Sequence, residues 1–152
     1  MIKKLLFLCL IITTNVVVAQ GDESEIIHQK IESFFKDFHQ RDSIQLKTYF
    51  DQTAELQSVI ELKDGASKVV KETISKFVTS IGSIPDSIKF EERISKATIN
   101  RSDKMAHAFV PYQFYINNQL SHCGVNSFIF VKVNKKWLIS NIIDTRRRTD
   151  CQ

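Results

Sequence analysis

The chain has little of what would assign a function outright. It has 3 cysteines in 152 residues, none in the paired C-x-x-C spacing of a zinc site. No other metal or cofactor pattern is present, and none is expected. Lys and Arg outnumber Asp and Glu by only 21 to 17. No basic face with interleaved aromatics accompanies that surplus, so nucleic acid is not an expected partner. No apolar run reaches the about 20 residues of a membrane span. There are no internal repeats and no low-complexity segment.

The chain does begin with a recognisable leader. Lys3 and Lys4 precede an apolar run from Leu5 to Ile12, and Val17-Val18-Ala19 then offers a cleavage site before Gln20. Thr13, Thr14 and Asn15 interrupt the run, which excludes a spanning anchor. Cys9 follows Leu8 and stands too early for a lipoprotein signal, so it is expected to leave with the leader. Residues 1–19 therefore read as a signal peptide, and the protein as exported to the periplasm or the medium, with no membrane attachment once the leader is gone. Loss of Lys3 and Lys4 takes the formal charge from +4 to +2. The remaining 20–152 is one domain with a sizeable core.

Two cysteines then remain, Cys123 and Cys151, an even count in a compartment that permits disulfides. The run Arg146-Arg147-Arg148 is short and terminal and reads as a solvated tail.

Periodicity places the elements. Ile27, Ile31, Phe34, Phe35 and Phe38 recur at helical spacing from Asp22 to Arg41. Asp42 or Ser43 can cap a second, short helix carrying Ile44, Leu46, Tyr49 and Phe50. Ala54 to Glu61 alternates as a strand, and Lys63-Asp64-Gly65 is a turn. Val70, Ile74, Phe77, Val78 and Ile81 predict a third helix over 67–81, ended by Gly82 and Pro85. From Ile88 onward the pattern is strands: a polar one to Asn100, a long one from Met105 to Ile116, then Leu120–Val133 and Trp137–Arg146. Asn117-Asn118 suits a tight turn, since Asn tolerates positive φ. The order predicts an α+β domain with helices on one face of a curved antiparallel sheet.

This order, the segment Arg41-Asp42-Ser43-Ile44-Gln45-Leu46-Lys47-Thr48-Tyr49-Phe50 and the hairpin end Val133-Asn134-Lys135-Lys136-Trp137-Leu138-Ile139 resemble the nuclear transport factor 2-like superfamily, which includes SnoaL-like cyclases and ketosteroid isomerases. A His-Cys-Gly-Val-Asn-Ser-Phe strand and an Asp-Thr-Arg-Arg end resemble small exported bacterial members without an assigned reaction. The likeness runs from Asp22 to about Arg147. It implies a cone of three helices on the sheet, an internal pocket, and frequent dimers through the outer sheet face. The superfamily holds enzymes, binding modules and transport adaptors, so the fold does not give the function.

The last hairpin carries the chemistry. A two-residue turn at Asn134-Lys135 pairs Cys123 with Arg146 and Val125 with Asp144. Cys123, Val125 and Ser127 then share a face with Ile142, Asp144 and Arg146, whereas His122, Gly124, Asn126 and Phe128 share the other with Ile143, Thr145 and Arg147. One β-bulge would exchange these partners. In that register only 148–150 and Arg147 separate Cys123's neighbour from Cys151, and a Cys123–Cys151 disulfide tying the tail to the hairpin edge is expected. The competing reading is Cys123 as a nucleophile, but adjacent His122 points to the opposite face and is badly placed to activate it.

The candidate pocket residues are His107, Tyr112, His122, Asn126, Asp144 and Arg146. Each has a plainer alternative: an exposed ion pair for Asp144 and Arg146, a backbone-bonded edge residue for His122. Tyr112 and Tyr115 point to opposite faces, so one of them faces inward. Phe34, Phe38, Tyr49, Phe77, Phe109 and Trp137 are expected in the core or pocket wall. His28 and His39 flank the apolar stripe of the first helix and are expected at the surface. These features favour a non-catalytic domain binding a small apolar ligand. The alternatives are an acid–base enzyme using His107, His122, Asp144 and a Tyr, and an interaction module that dimerises through its sheet. Whether the polar groups converge on one enclosed cavity discriminates among these readings: if they scatter over the surface, the enzyme reading falls.

Overall fold

The structure is a computed structural model and describes residues 22–62 and 64–151. The leader segment 1–19 and Lys63 lie outside the described residues. The first helix, α1 (Glu23–His39), starts where Asp22 accepts a hydrogen bond from the Ser24 backbone N–H at 3.0 Å. Its stripe Ile27, Ile31, Phe34, Phe35 and Phe38 is buried, as the spacing predicts. Arg41 reverses the chain at φ 56°, and Asp42 caps α2 (Ser43–Thr48). Tyr49 and Phe50 fall outside that short helix, which buries Leu46.

The strands are β1 (Phe50–Glu61), β2 (Ser67–Thr73), β3 (Phe90–Ile94), β4 (Thr98–Arg101), β5 (Met105–Ile116), β6 (Gln119–Val133) and β7 (Lys136–Arg147), with α3 (Ile74–Gly82) after β2. They form one sheet in the order β2-β1-β7-β6-β5-β3, with β4 also on β5. Among the described residues every pairing is antiparallel except β1 with β7. Among the described residues the result is an α+β domain with three helices and a curved, mostly antiparallel sheet.

Two elements differ from the periodicity. The helix predicted over 67–81 is strand to Thr73. Lys68, Val69 and Val70 pair with Ile60, Val59 and Ser58 of β1, and adjacent β-branched residues suit that edge better than a helix. Thr73 then caps α3 by accepting from the Lys76 N–H at 3.3 Å. The polar strand predicted over 88–100 is two strands, broken opposite Pro111. The Pro111 carbonyl accepts from the Ser95 N–H at 2.8 Å, so this residue faces the β3–β4 edge. It has no N–H to donate in return, and the neighbouring strand leaves the ladder there.

The turns behave as read. Asn117 and Asn118 have φ 49° and 64°, and Asn134 and Lys135 have φ 48° and 65°, the positive angles of two-residue hairpins. The pairing of β6 with β7 does not. Phe130 faces Ile139, but Ile129 faces Asn141, so Ser140 is an unpaired bulge. Beyond it every partner shifts by one. Asn126 faces Asp144, Gly124 faces Arg146 and Cys123 faces Arg147, not Arg146. The inner face of β7 therefore carries Ile142, Asp144 and Arg146 beside Phe128, Asn126 and Gly124 of β6, which reverses the face assignment of the straight register. Bulges do this because the side-chain period is 2.

The core lies between α1 and the inner sheet face. Phe34 and Phe35 meet Phe128 with ring centroids 5.8 and 6.1 Å apart, and Phe38 meets Phe90 at 5.1 Å and Phe77 at 6.2 Å. Each such ring contributes roughly 1.5–3 kcal/mol by burial. Trp137 and Tyr49 belong to this mass, Trp137 donating to Glu23 at 3.1 Å and Tyr49 to Asp37 at 2.6 Å.

Candidate functional site

The packed rings stop short of filling the cone. A cavity of about 500 Å³ opens between α1, α3 and the inner sheet face. Its walls are Phe34, Phe35, Phe38, Phe77, Phe114 and Phe128. Its polar lining includes Ser58, Glu92, Tyr112, His122, Asn126, Asp144 and Arg146, with Lys71, Glu72 and Lys76 among the other polar residues that border it.

Strand alternation and two bulges bring these groups together. Val110, Tyr112 and Phe114 of β5 face Asn126, Gly124 and His122 of β6. Ser121 is unpaired there, between Phe114–His122 and Tyr115–Leu120. The Ser140 bulge swings Asp144 and Arg146 to the same side. On the far side of β7, Ser58 of β1 stands beside Asp144 and Ile60 beside Arg146.

Five of the six residues expected to line a pocket thus meet in one cavity. His107 does not. It pairs with Ile129 on the opposite face, and its Nε2 lies 2.9 Å from Ser127 Oγ. The reason is parity: Ala106 and Ala108 face the core, so the residue between them cannot. Phe109 is likewise outside, 45% exposed, and is not a pocket wall. Of the two tyrosines, Tyr112 faces inward, whereas Tyr115 lies under the Arg93 guanidinium at 4.0 Å.

Glu92 is the residue that sequence reasoning passed over. It lies at the centre of β3, where Phe90, Glu92 and Ile94 share the inner parity. A carboxylate among apolar residues of one parity was the available signal. Its Oε1 accepts from Asn126 Nδ2 at 2.6 Å, the one donor to that carboxyl among the described residues. Asn126 is itself 7% exposed, the buried polar residue among those described. Burial raises the Glu92 pKa to about 7, aided by the Asp144 charge and opposed by the Asn126 hydrogen bond and Arg146.

At the mouth, Arg146 Nε donates to Asp144 Oδ2 at 2.6 Å, and its NH2 group reaches Ser58 Oγ at 3.2 Å. Ser58 also donates to Asp144 Oδ1. Burial works against the Arg146 charge, but the Asp144 hydrogen bonds and charge outweigh it and hold the guanidinium above its ordinary pKa. Burial, then the nearby Arg146 charge, push His122 below the usual histidine range and leave it neutral at pH 7. Its ring stacks on Phe114 at 4.9 Å and meets Tyr112 edge-on at 5.8 Å. Burial and the charges of Asp144 and Glu92 raise the Tyr112 pKa, so its hydroxyl keeps its proton.

That hydroxyl donates to the Thr145 carbonyl at 3.0 Å, across Gly124. A Cβ at Gly124 would stand 1.8 Å from that same oxygen and 3.1 Å from Tyr112 Cε1. Glycine is therefore required for the β7 backbone to approach β6 this closely, with the ring packed beside it. The expected disulfide is present: Cys123 and Cys151 are bonded with Cα atoms 5.5 Å apart. Asp150, at φ 54°, turns the tail back, and its carbonyl accepts from Arg147 at 3.2 Å. Cys123 is thus a clamp and not a free thiol. Among the described residues, no group of three His, Cys, Asp or Glu could hold a metal ion.

The arrangement can orient a small molecule with one polar end. It can also give or take a proton near neutral pH, through a carboxyl that titrates in that range.

No protein-family model matches the sequence, and no curated protein is significantly similar to it. Solved structures are similar in fold. One is an NTF2-like protein of unknown function from Shewanella baltica, 17% identical, covering 84% of this chain and 95% of that one, with a TM-score of 0.64. Another is a proposed dehydratase of the NTF2-like family from Streptomyces avermitilis, 9% identical, covering 84% and 97%, with a TM-score of 0.63. A third is the beta subunit of a proposed aromatic-ring-hydroxylating dioxygenase from Novosphingobium aromaticivorans, 11% identical, covering 86% and 95%, with a TM-score of 0.65. Identities this low carry the fold and nothing finer.

Proposed function

From the nuclear transport factor 2-like fold of this chain, we propose that the protein is an exported domain that binds a small, neutral, apolar molecule bearing one hydrogen-bonding group. The observation that carries this reading is the Glu92–Asn126 pair set into a cavity walled by six phenylalanines. Aromatic walls with a few convergent polar groups are the general form of a small-molecule site. The charge balance favours a neutral ligand. Asp144 holds the Arg146 charge, Lys71 and Lys76 pair with Glu55 and Glu72, His122 is neutral and Tyr112 is protonated, so no uncompensated cation waits for an anion. The Cys123–Cys151 disulfide supports an oxidising compartment, as the leader segment does.

A second reading has one observation in its favour. A carboxyl that titrates near pH 7 inside the cavity suits proton transfer to and from a bound molecule, an isomerase- or dehydratase-like role with Glu92 in place of the expected His107. The outer face of the sheet supports a separate role. Met105 and Phe109 are 55% and 45% exposed there, and they suit a second copy of the chain.

Ligand titration of the purified chain, followed by backbone NMR shifts against a panel of small neutral aromatic and alicyclic compounds, tests the binding reading. Shifts clustered on residues 92, 112, 122 and 126 are expected, with Asn126→Ala weakening them and His107→Ala leaving them unchanged. Shifts confined to the surface would remove it. Incubating a bound ligand in deuterated water tests the second reading: deuterium should enter the ligand with wild type and not with Glu92→Gln.

A further inference from the structure

We infer that His39, in the last turn of α1, is the positioning residue that aims Glu92 into the cavity. The inference rests on the pocket reading above and adds a residue that the cavity itself does not contain.

β3 is an edge strand, paired only with β5 among the described residues. The backbone N–H of Glu92 points away from that pairing, and His39 Nε2 accepts it at 2.9 Å. Glu92 is therefore held at two points. Its N–H is fixed from α1 by His39, and its carboxyl is fixed from β6 by Asn126 at 2.6 Å. Without the first, an edge strand with one neighbour can swing, and the carboxyl swings with it.

The imidazole is built into this place. Its ring lies among Phe35, Phe38 and Phe90, with centroids 6.3, 5.7 and 6.4 Å away. Phe90 is on β3 two residues before Glu92, so helix and strand close on the ring from both sides. His39 is half-buried and not the surface residue that its place beside the apolar stripe suggested. To accept a hydrogen bond at Nε2 it must be neutral, with its proton on Nδ1. Its surroundings agree. Burial lowers its pKa against the raising effect of the Glu91 carboxylate, and accepting the Glu92 N–H itself favours the neutral ring. Glu91 on β3 is the charge that acts on it, and the Arg41 guanidinium lies over the Phe90 ring at 5.3 Å. The charges acting on the Glu92 carboxyl are Asp144 and Arg146 of β7.

Placement matters because this carboxyl keeps its unusual protonation only while water is excluded from it. A displacement of about 1 Å at such a group is enough to undo its geometry.

The test uses the full mature chain, labelled with carbon-13 at glutamate carboxyls, as wild type, His39→Ala and His39→Gln. The Glu92 signal is assigned by its loss in Glu92→Gln. In wild type, His39 should carry its proton on Nδ1, and the Glu92 amide should exchange slowly with solvent. In His39→Ala the amide protection should fall at least tenfold, and the carboxyl midpoint should move toward the ordinary Glu range by about half a pH unit or more. His39→Gln, whose side-chain oxygen can accept the same N–H, should restore both. A wild-type His39 with its proton on Nε2 overturns the inference, since that atom could not then accept. So does an unchanged carboxyl midpoint in a folded His39→Ala. Failure of the pocket reading looks different: no ligand perturbs the cavity while the His39 tautomer and both titrations come out as stated.

Discussion

Asp144 stands across from Asn126 on the neighbouring strand, one place away from where the turn at Asn134-Lys135 alone would put it. The Ser140 bulge between them makes the difference. It moves Asp144 and Arg146 from the outer face of the sheet to the cavity, where Asp144 holds Ser58 and Arg146. A one-residue insertion in a β7 of regular pairing is thus what turns a strand-end ion pair into the rim of a pocket.

Gly124→Ala should destabilise the protein by about 1–3 kcal/mol, because the new methyl meets the Thr145 carbonyl, a backbone atom that cannot step aside. Urea denaturation measures this. Tyr112→Phe, which removes only the bond to that carbonyl, should cost about 1 kcal/mol. Equal, negligible losses in both would refute the close packing of the ring on Gly124.

Glu92 should make stability fall as the pH rises. Its folded pKa is raised from 4.5 to about 7, so between these values the native state binds more protons than the unfolded chain. The stabilisation is complete below about pH 4.5 and is lost as the pH passes 7, amounting to about 3 kcal/mol. Glu92→Gln has no such proton to lose. Its melting temperature should exceed that of wild type at pH 8 by several degrees, with the gap closing at pH 5. A gap independent of pH would show that Glu92 titrates as an ordinary surface carboxyl.

Denatured, unreduced protein from the native cell envelope or medium should contain no free thiol and should lack residues 1–19 by intact mass. The Cys123–Cys151 bond closes a loop of 28 residues in sequence separation and should stabilise the fold by about 3–4 kcal/mol. Cys151→Ser should lower the denaturation midpoint accordingly. Two reactive thiols in material made under oxidising conditions would contradict the clamp.

Self-association should run through the outer sheet face. Wild type is expected at twice the chain mass in sedimentation, and Phe109→Glu at the chain mass with its cavity intact, since that side chain stands on the far side of the sheet from Glu92. A monomeric wild type would remove this role.

Much of the architecture was legible in the residues. The stripe of α1, the Asp42 cap of α2, the long β5 and the two Asn-containing hairpin turns follow from local propensity and from the 3.6 and 2.0 periods of apolar residues. The pairing of Cys123 with Cys151 was legible too, because any near-antiparallel register of the last hairpin brings the tail back past Cys123. Local rules stopped at β2, where Val70 and Ile74 fit a helix by spacing but β1 offered Val69 and Val70 a strand to pair with.

The cavity was decided only in three dimensions. Tyr112, His122 and Asn126 could be placed together from one hairpin, but Asp144 and Arg146 depended on the Ser140 bulge, and His107 was lost to the parity set by its two buried alanines. Glu92 and His39 come from an edge strand and a helix end, 53 positions apart in sequence. No local spacing relates them. The physical reason is that a side-chain period reports which way a residue points along its own element, whereas register, bulges and helix docking are settled by the whole sheet burying its apolar face at once.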